Sequence, residues 1–204
     1  MFRRIFLSPK TMAAATITTE ISCIAVLVCG ILAGTMDLFI AFAVGTGMLL
    51  SAFLFLGYRK HSIMSMQAGC CGLLLTLVFI QGIFVFMELP AQDMDFYILQ
   101  GFWGCMFLCS ELTVFILEIL ITVNHYYFYI GNRITFLRTA YNQMLIYVMS
   151  FFSVFNMVID ILLFPDLETT VYDCASVLSV LACFVMISCA ELIIALDADE
   201  RGCD

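Results

Sequence analysis

The sequence predicts an all-α integral membrane protein with six transmembrane helices and cytoplasmic N- and C-termini. Three observations predict it. Hydrophobic residues fill 64% of the 204 positions and charged residues 12%, whereas soluble domains run nearer half apolar and a quarter charged. Six stretches reach the roughly 20 apolar residues needed to cross about 30 Å of hydrocarbon. All eight Lys and Arg fall on one side once those stretches alternate in direction. The same composition excludes disordered and coiled-coil chains, and the stretches lack the alternation a membrane β-barrel would show.

The elements follow in order. Residues 1–15 form a short cytoplasmic or interfacial segment, with Phe2, Ile5 and Phe6 beside Arg3 and Arg4. The six spans are residues 16–35, 38–58, 63–87, 96–124, 139–164 and 171–196, and residues 197–204 make an acidic cytoplasmic tail. Glu20 and the surrounding threonines interrupt the apolar run a signal peptide would need, so the start reads as an uncleaved first span. The first two spans are separate because Gly34-Thr35-Met36-Asp37 supplies a turn between them. Arg3, Arg4, Lys10, Arg59, Lys60, Arg133, Arg138 and Arg201 then lie inside. Asp37, Glu88, Asp93, Asp95, Asp166, Glu168 and Asp173 lie outside. The expected location is a bacterial cytoplasmic membrane, crossed several times, and a net charge of −8 without clustered cations implies no nucleic-acid partner.

Cysteine, glycine and aromatic residues read mainly as packing and boundary signals. Most of the ten cysteines fall within spans, away from any oxidising loop, so they read as small free hydrophobes rather than disulfides. Cys105 and Cys109 share a helix face, but the scattered methionines give no soft-metal path, and neither a metal nor a cofactor is implied. His61 ahead of Cys70 and Cys71 is the single pairing that speaks for an intramembrane enzyme, and no motif supports it. Gly30 and Gly34, with Gly45, Gly47, Gly69, Gly72, Gly101 and Gly104, are candidates for close helix approach. Tyr126, Tyr127 and Tyr129 suit an interfacial belt.

The functional signal lies in acids within the spans: Glu20, Glu111, Glu118, Asp160 and Glu191, with no Lys or Arg in any span to answer them. A charged carboxylate at the bilayer centre costs about 2.5–3.5 kcal/mol on insertion scales. Such acids either serve as hydrogen-bonding glue between helices or line a polar interior that binds a cation or exchanges protons. Spacing favours the interior. Tyr97, Gly104, Glu111, Glu118 and His125 recur every seven residues, and seven residues are nearly two turns, so they share one edge of the fourth span. Asn142, Ser153, Asn156 and Asp160 form a matching line on the fifth span, and Gln67, Gln81 and Glu88 a weaker one on the third. Glu20, Asp160 and Glu191 lie near span ends, within reach of interfacial water; Glu111 is central. A short echo, Cys109-Ser-Glu111-Leu against Cys189-Ala-Glu191-Leu, reads as chance in so apolar a chain.

The expectation is therefore a small transporter, or a solute-binding membrane subunit, for a cationic or proton-coupled solute. Its candidate ligand residues are Glu111, Glu118, Glu191, Glu20, Asp160, Asn156 and His125. Size and span number are similar to the substrate-binding subunits of energy-coupling-factor transporters, a likeness of architecture alone. A chain this small calls for an energising partner subunit or self-association in the lipid bilayer. The alternative is a sensory or regulatory membrane module acting through a separate cytoplasmic partner.

Overall fold

The computed structural model describes residues 8–33, 38–88, 100–127, 136–163 and 167–200, and every regular element among them is helical. In order they are α1 (Pro9–Ala33), α2 (Leu38–Arg59), α3 (Ile63–Ile83), α4 (Phe102–His125), α5 (Phe136–Leu163) and α6 (Leu167–Glu200). A π-helical turn, Phe84–Glu88, extends α3. Among the described residues, six helices are long and apolar enough to cross a membrane. Large apolar side chains such as Ile21, Leu32, Phe42, Leu49, Leu75 and Phe151 point outward, where lipid rather than water would meet them. Trp103 near the start of α4 and Tyr126 and Tyr127 just past its end are exposed, the placement of aromatic belts at two interfaces.

Helix limits differ from the sequence expectation at several ends, and α5 and α6 begin three and four residues early, at Phe136 and Leu167. α1 starts at Pro9, not residue 16. Proline suits a first helical turn, which has no intrahelical use for the missing N–H. The Ser8 carbonyl accepts from the amides of Thr11 and Met12, and Met12 and Ala15 enter the core. α6 runs on to Glu200, through residues assigned to the tail, so Glu191 lies more than two turns inside its helix. α4 starts at Phe102. Tyr97 lies outside the described residues, as do the loop acids Asp37, Asp93, Asp95 and Asp166 and the side chain of Glu88.

The centre of the bundle is α6. It packs on α1, α5, α3 and α2, and 56% of its membrane window is buried, against 28–39% for the other five. Its buried residues are largely small: Ala182, Cys183, Ser188, Cys189, Ala190 and Ala195. Small side chains let neighbouring backbones close in, which is how helices associate where lipid tails give them no hydrophobic drive. Phe184, Met186 and Ile187 fill the remaining space against Met66, Leu73 and Met149.

Glycine serves close approach at the α2–α3 hairpin. A Cβ on Gly69 would sit 3.0 Å from the Cβ of Leu54, and one on Gly57 2.9 Å from that of Ser65. The turn is fastened by the Ser62 amide bonding to the Gly57 carbonyl at 3.0 Å, by a Ser62 side-chain cap on α3, and by His61 at φ 51°. Gly45 and Gly101 have open space where a side chain would go, so close approach does not explain them. Lys10, Arg59, His61 and Asp197 line one groove, which brings the start of α1 and the ends of α2 and α6 to the same end of the bundle.

Candidate functional site

The predicted edge of α4 faces inward. Gly104, Ser110, Glu111, Glu118, Asn124 and His125 are all buried. Spaced by seven residues, Glu111 and Glu118 stand about 10 Å apart along the axis. Opposite them α5 turns Ser153 and Asn156 inward, and α3 brings Gln81. The three polar lines meet.

Glu111 is held on both oxygens. Asn156 Nδ2 donates to Oε1 at 2.6 Å and Gln81 Nε2 to Oε2 at 2.5 Å. Asn156 is fixed in turn by the Ser110 hydroxyl, which donates to its Oδ1. This frame draws on α3, α4 and α5 and leaves the Glu111 carboxyl little freedom.

Glu118 differs. It is 2% exposed, yet its Oε2 has no hydrogen-bond partner. It borders a cavity of about 210 Å³ that Glu111, Asp160 and Asp173 also line. Gln81, Asn156, Ser153, Tyr172 and Ser176 add amide and hydroxyl groups, and no described lining residue is Lys, Arg or His. A second cavity of about 100 Å³ shares Gln81, Glu118, Tyr172 and Ser176 with the first and reaches Thr19, Cys23 and Cys183. Glu118 lies where the two meet.

Glu191 and His125 form a separate knot. His125 Nδ1 and Glu191 Oε1 are 3.1 Å apart, both residues wholly buried. Asn142 donates to the same oxygen, and Gln143 Nε2 to Oε2 at 3.3 Å. Asn124 ties Asn142 to α4 at 3.4 Å. Glu191 is therefore no boundary acid reaching interfacial water. The sequence reading placed it too near the end of its helix and missed its imidazole partner. Glu20 is apart from both groups, half-buried and bonded to Ser51 of α2.

The structure thus brings together Glu111, Glu118, Asp160 and Asn156, and sets Glu191 with His125, and Glu20, elsewhere. Sequence reading assigned Asp173 to an outer loop, but α6 has already begun at Leu167. Asp173, Ser176 and Val180 then fall on one face at offsets of three and seven, the signal that identifies them as cavity wall. Cys105 and Cys109 are exposed on α4. Cys70 is buried about 10 Å along α3, and it borders neither the groove of His61 nor the interior cavities.

Among the described residues no three His, Cys, Asp or Glu gather as a metal set. The cavity offers single carboxyls mixed with amide and hydroxyl oxygens, donors suited to a hard cation, an ammonium group or a proton rather than a soft metal. No protein-family model, curated protein or solved structure matches the chain. Fold and site together define its class: a multi-pass helical membrane protein with a carboxylate-lined interior.

Proposed function

We propose that the chain is a small transporter, or the solute-binding membrane subunit of one, for a cationic or proton-coupled small solute. The observation that supports it most is Glu118, buried against the cavity with one oxygen unbonded. Leaving a buried acceptor unmade costs about 1–3 kcal/mol. A proton, a cation or a protonated amine entering the cavity supplies the missing interaction. Glu111, held by two amides, presents a second carboxyl to the same cavity. The volume of about 210 Å³ admits several waters or a small amine.

In this reading the end carrying Lys10 and Arg59 faces the cytoplasm, as the distribution of Lys and Arg favours, and the membrane is a bacterial plasma membrane. The six-helix bundle is the working domain. The His125–Glu191 knot closes the cytoplasmic side of the polar interior, and Asp160 and Asp173 face its outer side.

The test is a thermal-stability screen of purified protein against alkali cations and small amines across pH, paired with flux into proteoliposomes. At least one ligand raises the unfolding temperature of the wild type, and Glu118→Gln removes both that shift and the flux. No shift with any ligand, or a Glu118→Gln protein indistinguishable from wild type, overturns the proposal. Absence of flux together with a co-purifying cytoplasmic partner establishes the regulatory reading in its place.

A further inference from the structure

A third cavity, about 640 Å³, lies away from the carboxylates, at the end where α1 begins and α2 and α6 finish. Its chemistry is the reverse of the interior site. Lys10, Arg59 and His61 are exposed around it, three groups able to carry positive charge, against Asp197 as the one acid in the described lining. The starts of α1 and α3 turn positive helix ends this way and the finishes of α2 and α6 negative ones, so the side chains set the charge of the rim. Below the charges the walls are apolar: Ala13, Phe55, Ile193 and Leu196. A cationic rim over an oily wall at a helix-end layer matches one kind of occupant, an amphiphile with an anionic head.

We propose that this groove binds an anionic membrane phospholipid. Its phosphate sits between Lys10 and Arg59, and its glycerol and upper acyl segments lie against Phe55, Ile193 and Leu196. Basic pockets between transmembrane helices take anionic headgroups for this reason: the cations meet the phosphate while the tails never leave the hydrocarbon. The site owes nothing to the interior cavity, and its failure would leave the transport reading where it stands.

Native mass spectrometry tests it on full-length protein released from nanodiscs made of equal parts phosphatidylcholine and phosphatidylglycerol. Phosphatidylglycerol is retained in preference to phosphatidylcholine. The double substitution Lys10→Gln with Arg59→Gln weakens that retention by about fivefold for each cation removed. Lys60→Gln, next in sequence but outside the lining, leaves it unchanged. Unfolding temperature checks that the variants are folded, and a double variant that fails to fold is replaced by each single substitution. Equal retention of the two lipids overturns the proposal, as does an equal loss in Lys60→Gln. Displacement of the lipid by excess inorganic phosphate also overturns it, by making the groove a site for free phosphate.

Discussion

Glu111 and Glu191 are near twins by local chemistry. Each follows a Cys-x pair, each is buried, and each accepts from two side-chain amides. Their surroundings part them. Glu191 adds an imidazole at 3.1 Å and borders none of the cavities described. Glu111 borders an open volume, with Glu118 beyond it holding an oxygen unbonded. Burial of an acid therefore does not separate structure from function in this bundle. What separates them is whether the acid's bonds are complete and whether space adjoins it.

The largest effect that could break this contrast is at the knot. His125→Ala leaves Glu191 buried without its imidazole partner and opens a cavity where a wholly buried ring stood, together costing about 3–5 kcal/mol. Unfolding of His125→Ala in detergent should occur at much lower temperature than wild type. Wild-type stability would mean that the knot does not lock the bundle. A smaller loss is expected from Asn156→Ala, which deletes a donor to Glu111 and the acceptor of Ser110. The cost is about 1–3 kcal/mol, read as a lower unfolding temperature together with weaker ligand response. The smallest change carries the opposite sign. Glu118→Leu removes an orphaned acceptor and should raise stability by about 1 kcal/mol while abolishing the ligand-induced shift. A clear loss of stability in Glu118→Leu would show that Glu118 is structural after all, and would erase the distinction.

Much of this was legible in the residues. The heptad line Gly104, Glu111, Glu118 and His125 reads as one edge, and Gln81 and Asn156 fall on polar lines of two other spans. Strong polarity against an apolar background makes such lines visible. The central place of α6 was not legible, because its signal is small size: Ala182, Cys189 and Ala190 look like any apolar run. Helix ends were concealed for a different reason. Pro9, Lys10, the run Glu168-Thr169-Thr170 and the acids past Leu196 are polar enough to resemble loops, yet the backbone continues through them. Asp173 was lost to the site and Glu191 misjudged as a consequence.

One property of α6 reaches further than packing. Its 34 residues contain neither Gly nor Pro, so it has no built-in hinge. Asp173 and Glu191 are eighteen positions apart, five whole turns and about 27 Å, and so sit on the same side of one stiff shaft. Twisting or sliding that shaft must carry the cavity wall and the imidazole clasp in step, from one face of the bilayer to the other.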